Sequence, residues 1–171
     1  MGQAARDHVD ELLEQWRRER PELDVRALGV VSRLFRAAEL ADRRLERPLS
    51  ELGLQPGWLD VLAALRRAGA PFELNPSQLL RATLLSSGGM TKRIDRLVEA
   101  GLVERRQDPA DRRGTLVGLT SRGKELVDRA IEEHVTNEDA LLRNLTSAER
   151  RALDDLLRKL LNDLEAGQTP S

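Results

Sequence analysis

This chain of 171 residues has no cysteine and no tyrosine, and only two tryptophans and two phenylalanines. Without cysteine there is no disulfide, no thiolate metal site and no thiol-based redox sensing. Two histidines, His8 and His134, are all it has. No metal-ligand spacing accompanies them, and no nucleophile sits beside a base, so the parts of an enzyme are not assembled and no cofactor is expected. No apolar run approaches the roughly 20 residues that span a bilayer, and no signal peptide opens the chain, which together predict a cytoplasmic protein that does not contact membrane.

Leu, Ala, Arg and Glu are abundant. Apolar residues make up 40% and charged residues 33%, a helix-leaning mixture long enough to bury one good core. The net charge of −1 alone argues against a nucleic-acid partner, but its distribution argues for one. Residues 81–124 hold ten Lys and Arg against five Asp and Glu, whereas residues 125–171 hold six against eleven.

The basic segment has a recognisable build. Met90, Ile94, Leu97 and Val98 recur at helical spacing, which predicts a helix over 87–100 that is capped by Ser86 or Ser87 and closed by Gly101. Its solvent face carries Ser87, Thr91, Lys92, Asp95 and Arg96. Leu102–Arg106 and Thr115–Leu119 read as two strands around a turn from Gln107 to Gly114, with arginines at 105, 106, 112 and 113 that strand pairing does not require. A winged helix results: mainly α with a small β-hairpin wing. Short donors near a helix N-terminus suit base edges in the major groove, and a basic hairpin tip suits the adjacent minor groove. The plainer reading is a polar helix surface and a solvated turn.

The remaining elements follow in order. A helix over 7–19 places Val9, Leu12, Leu13 and Trp16 on one stripe and ends before Pro21. A second, about Val25 to Glu46, starts at an Asp24 cap and stops before Pro48. A third begins near Pro56, runs to Arg67 and buries Trp58, Val61, Leu62 and Leu65. Phe72–Leu74 fits a short strand beside the wing. Asn75-Pro76-Ser77-Gln78 starts a fourth helix with Leu79, Leu80 and Leu84 inward, the first half of a helix-turn-helix. A long helix extends from Ser121 to about Asn144. Thr146 and Glu149 form a capping box for the last helix, where Leu153, Leu156, Leu157, Leu160, Leu161 and Leu164 share a stripe. That stripe needs a partner surface, either the long helix or a second copy. Residues 167–171 read as a disordered tail.

DPADRRGTLVGLTSRGKEL closely resembles the wing of the MarR family of bacterial transcriptional regulators, with Asp111, Arg112, Arg113, Leu119, Thr120 and Gly123 at the signature positions. The likeness extends from about Val25 to the C-terminal helix. It implies a homodimer built by residues 23–55 and 121–166, a winged helix-turn-helix over 56–120 that binds a double-stranded DNA operator, and an additional helix over 1–22. Ser86, Ser87, Thr91 and Lys92 are the candidates for the major groove and Arg96 for a phosphate. Arg113 is the candidate for the minor groove and Arg112 for the backbone, or the converse. Asp111 braces a wing arginine. For each helix residue the plainer reading is an exposed side chain, and for the two serines a cap.

Asp60 and Arg67, seven apart on the third helix, point the same way, opposite its core face. Ala63 and Ala64 between them are small enough to leave a concavity, and Arg93 lies beside the apolar stripe of the recognition helix. Taken alone these are surface charges. With Trp16 on the N-terminal helix they resemble the ligand constellation of a urate-sensing branch of the family. That resemblance implies a small organic anion held by the arginines and stacked on the indole, with Asp60 either accepting from ring N–H donors or repelling the anion. The same arginines suit a di- or tricarboxylate. The expected function is ligand-relieved repression, and the alternative is a winged-helix adaptor that does not read DNA.

Overall fold

In the computed structural model the described residues are 6–83, 89–109, 111 and 114–167. Ser86, Ser87, Leu84, Arg112, Arg113 and the tail from 168 lie outside them. The elements run α1 (His8–Glu19), α2 (Arg26–Glu51), α3 (Trp58–Arg67), β1 (Glu73–Leu74), α4 (Pro76–Ala82), α5 (Met90–Glu99), β2 (Val103–Gln107), β3 (Thr115–Leu119), α6 (Ser121–Leu141) and α7 (Ser147–Ala166). Two compact units divide the chain, Met1–Arg47 and Pro48–Ser171.

In the first unit, α1 opens with a capping box in which Asp7 accepts from the Asp10 amide and Asp10 answers on the Asp7 amide. Val9, Leu13 and Val25 form a small core, and Gly29 lets α2 approach, since a Cβ there would stand 3.0 Å from a Leu13 methyl. Arg33 on α2 clamps both acids of the box, 2.8 Å from Asp7 Oδ2 and 2.7 Å from Asp10 Oδ1. The outer apolar residues of this unit stay bare: Trp16, Leu28, Val30, Val31 and Phe35 are all exposed.

Helix α2 does not stop before Pro48; it continues to Glu51. Proline removes one donor from the ladder but leaves its own carbonyl, which the Leu52 amide meets at 3.3 Å. Leu49 and Leu52 then pack against the larger core, holding the last turn in place.

That core is organised around α3. Val61, Leu62 and Leu65 are fully enclosed, and Ala63 and Ala64 are buried as well, so the small residues fill the core and leave no open concavity there. Leu79 of α4, Met90, Ile94 and Leu97 of α5, Val103 and Val117 of the sheet, and Val127 and Ala130 of α6 complete it. Truncating one such leucine to alanine costs about 2–5 kcal/mol. Pro56 lies ahead of α3 because Gly57 adopts φ 73 and serves as the N-cap.

The sheet has order β1-β3-β2, all antiparallel, with Glu73 opposite Gly118 and Arg105 opposite Val117. Phe72, itself at φ 62, lies under Arg66 (5.1 Å to the ring centroid) and Lys124 (5.8 Å). Both cations also bind Asp128, and the Lys124 and Arg66 hydrogen bonds hold its carboxyl below the usual range. This cluster ties the end of α3 to α6.

Thr120 caps α6 through the Gly123 amide, and its hydroxyl donates to the Gly101 carbonyl at 2.8 Å. A Cβ on Gly123 would fall 1.9 Å from the Leu102 carbonyl oxygen, so only glycine lets α6 start against the base of the wing. Helix α6 ends at Leu141, not near Asn144, because the Leu142 and Leu145 amides turn back on Asp139 and Leu142. The Thr146–Glu149 capping box then opens α7, which buries no residue.

Candidate nucleic-acid interface and effector site

Helix α5 has three distinct sides. Met90, Ile94 and Leu97 enter the core, with Val98 partly buried beside them. Thr91, Lys92 and Arg96 face solvent, as the periodicity predicts. Among the described residues, neither Lys92 nor Arg96 has a carboxylate partner. The start of the helix departs from expectation: Gly89, at φ 90, is the N-cap, and Ser86 and Ser87, the expected caps, lie outside the described residues. Glycine reaches this left-handed conformation without the Cβ clash that a serine would meet.

One flank of α5 faces the wing. Asp95 pairs with Arg105 of β2, Nη1 to Oδ1 at 2.7 Å. Alternation along β2 puts Val103 and Arg105 on the same face, and Glu104 and Arg106 on the other. Arg106 accordingly pairs with Glu73 at 2.7 Å and with Glu104. Two of the four hairpin arginines, Arg105 and Arg106, are therefore engaged in ion pairs within the protein, while Arg112 and Arg113 lie outside the described residues. Asp111 is exposed, and its carbonyl accepts from the Gly114 amide at 2.8 Å, closing the tip turn.

The opposite flank faces α3. The Arg93 guanidinium packs on Gly57, so closely that a Cβ there would stand 2.7 Å from Nε and 3.0 Å from Cζ. Arg93 thus looks back into its own unit, toward the helix end whose first turn carries Asp60. Asp60 is half-buried, and among the described residues it has no hydrogen-bond or ion-pair partner. Arg67 lies at the other end of α3, where Nη2 donates to the Ala82 carbonyl at 2.8 Å. Trp16 belongs to the first unit and is 45% exposed. Of the four effector candidates, Asp60 and Arg93 are brought to the same end of α3, while Arg67 sits at its far end on the terminus of α4.

Sequence reasoning passed over Arg81, an exposed cation on α4 with no partner among the described residues, and Gly57. Proline-glycine at 56–57 is a turn signal and was the available clue to the latter. Arg81 offered none, because short helices give little periodicity.

A three-stranded wing behind a helix-turn-helix, with a cationic outward helix face, defines a winged helix-turn-helix DNA-binding protein. Comparisons with known proteins agree. The MarR family profile matches residues 52–114. The chain is 39% identical over 152 residues to the HTH-type transcriptional regulator PecS of Dickeya dadantii, covering 89% of this chain and 92% of that protein. A mutant MarR of Escherichia coli solved with operator DNA superposes with TM-score 0.68 at 30% identity, covering 85% of this chain and 97% of the other. BpsR of Bordetella bronchiseptica, whose DNA binding is regulated by 6-hydroxynicotinic acid, superposes with TM-score 0.69 at 30% identity, covering 77% and 91%. The chain belongs to the MarR family of DNA-binding transcriptional regulators. Its relatives are regulators and not enzymes, and no helix among the described residues is long and apolar enough to cross a membrane.

Proposed function

We propose that this regulator binds a pseudo-palindromic operator as a homodimer, represses transcription there, and is released by a small organic anion. The observation that carries the DNA reading is the outward face of α5, where Lys92 and Arg96 are exposed and uncompensated while neighbouring Arg105 and Arg106 are paired. Thr91 and Lys92, with Ser86 and Ser87 ahead of them, reach base edges, and Arg96 holds a phosphate. Arg113 enters the minor groove and Arg112 contacts the backbone, or the converse, and Asp111 braces a wing arginine.

Two such faces must sit about 34–36 Å apart to read two half-sites. Residues 23–55 and 121–166 supply the dimer contact. The bare leucines of α7 support this, since that helix buries nothing within its own chain.

Trp16, Asp60, Arg67 and Arg93 form the effector site in this reading, with residues 1–22 supplying the indole. The guanidinium of Arg93 on Gly57, at the end of α3 whose first turn carries Asp60, supports an anion with ring N–H donors, urate being one. That a relative's DNA binding is regulated by 6-hydroxynicotinic acid supports the class, a small heteroaromatic anion. An anion joining α3 to Arg93 shifts the helix that reads DNA, which couples occupancy to affinity.

Two measurements test the proposal. Duplex binding across a salt series should be steeply salt-dependent, with Lys92→Ala and Arg96→Ala each lowering the slope by about one. A duplex affinity independent of salt would remove the DNA face. Thermal shifts with urate, 6-hydroxynicotinate and citrate should show stabilisation by one class of anion, lost in Arg93→Ala and Trp16→Ala. No shift with any anion removes the effector site; a shift with citrate alone selects the carboxylate reading.

A further inference from the structure

The ion pair between Asp95 and Arg105 joins the recognition helix to the first long strand of the wing. We infer that this pair is a specificity-setting brace: it fixes the angle between α5 and the wing and neutralises an acid that would otherwise face DNA. The inference rests on the proposed DNA face of α5.

Three observations support it. First, the pair is half-exposed, with side chains 40% and 45% accessible, so it contributes little to folding stability and its role lies elsewhere. Second, Asp95 is the one acid in the run 91–98, in which Lys92, Arg93 and Arg96 make no ion pair among the described residues. An uncompensated carboxylate there would repel phosphate. Third, β2 is secured on its other face by Arg106 with Glu73 and Glu104. The strand is thus fixed to β1 on one side and to α5 on the other. Among the described residues, Asp95–Arg105 is the one ion pair between the recognition helix and the wing.

The two groove contacts, from helix and from wing, are strongest together only when their separation matches the duplex. A sequence that presents both grooves at the braced spacing is favoured, and others pay no such match. Loosening the brace while releasing a cation therefore acts oppositely on the two kinds of DNA. Non-specific affinity rises, because one acid is gone and Arg105 is free for a phosphate, while selected-site affinity does not gain in proportion.

The test uses full-length protein, a duplex selected by wild type from a randomised pool, and a random-sequence duplex of equal length. Asp95→Asn should strengthen random-duplex binding, steepen its salt slope by about one and reduce the selected-to-random affinity ratio by about tenfold, the size of a typical coupled-pair effect. Arg105→Gln, leaving the acid unpaired, should weaken binding to both duplexes. In the double variant Asp95→Asn/Arg105→Gln the two effects should be non-additive. The reverse pair, Asp95→Arg with Arg105→Asp, should recover part of the lost ratio. Melting temperatures should stay close to wild type throughout, which separates the brace from simple unfolding. An unchanged ratio in Asp95→Asn, or strictly additive effects in the double variant, overturns the brace. Failure of Lys92→Ala and Arg96→Ala to affect salt dependence overturns the DNA face instead, so the two failures are distinguishable.

Discussion

Arg67 Nη2 donates a hydrogen bond to the carbonyl of Ala82 at 2.8 Å, tying the last residue of α3 to the last residue of α4. The arginine assigned to the effector therefore already holds the end of α4. Removing it should act on both. Arg67→Ala is expected to lower stability by about 1 kcal/mol, a melting shift of roughly 2–4 °C for a chain of this size, and to weaken the stabilisation that a bound anion gives. A thermal melt with and without anion checks this. Unchanged melting in the apo protein would mean that the Ala82 bond carries no stability.

Gly57 and Arg93 make a second link. A methyl at Gly57 would collide with the guanidinium at 2.7 Å, and the residue must also keep φ 73. Gly57→Ala should therefore cost about 1–2 kcal/mol and displace Arg93. Chemical denaturation measures the first effect. Loss of any anion-induced shift measures the second.

Gly123 is less forgiving. Its missing Cβ would stand 1.9 Å from the Leu102 carbonyl oxygen, a backbone atom with no rotamer to yield. Gly123→Ala is expected to lose at least about 3 kcal/mol, separating α6 from the wing base, or to fail to accumulate as folded protein. A Gly123→Ala protein that melts like wild type would show that α6 can start elsewhere.

The leucines of α7 predict assembly. Leu156 and Leu164 are 66% and 54% exposed within the chain, so charging them should barely disturb its own fold. Leu156→Glu with Leu164→Glu should weaken dimerisation by tenfold or more at micromolar concentration, by order of magnitude. Sedimentation velocity reads this directly. A wild type that sediments as a monomer removes the dimer proposal altogether.

Acid should loosen α1. The Arg33 hydrogen bond holds the Asp7 carboxyl below the usual range. For Asp10 the Asp7 amide is the larger cause, followed by Arg33. Carboxylates depressed in the folded state bind fewer protons there than when unfolded. Their stabilisation is complete above the ordinary carboxylate range and is lost as pH falls through that range and below it. Hydrogen exchange of the α1 amides, corrected for intrinsic rates, should show protection falling over that window. Arg33→Ala should weaken the protection at neutral pH and flatten the dependence.

How far the residues alone carried the reading differs by element. The stripe Met90, Ile94, Leu97 and the Asn75–Gln78 and Thr146–Glu149 capping boxes were legible, because each depends on neighbours three or four residues apart. The starts of α3 and α5 were misplaced by a few residues, since left-handed glycines at 57 and 89 set them; Pro56 marks the first as a turn, but nothing beside Gly89 marks the second. The end of α2 was misread because Pro48 is a strong local stop, overridden by burial of Leu49 and Leu52 in the core.

The sequence by itself determined the class of this protein: helical periodicity, a basic 81–124 segment and the wing pattern are properties of residue order and need no third dimension. Tertiary structure alone decided how the charges are spent. Arg105 and Arg106 are committed to Asp95, Glu73 and Glu104, Arg67 to a helix terminus, and Arg93 to a glycine, while Lys92 and Arg96 are left to the solvent. An arginine carries its fork of donors on a long side chain, so its partner is whichever acid or carbonyl the packing of distant segments brings within reach. Packing depends on the whole core and is invisible to any local window.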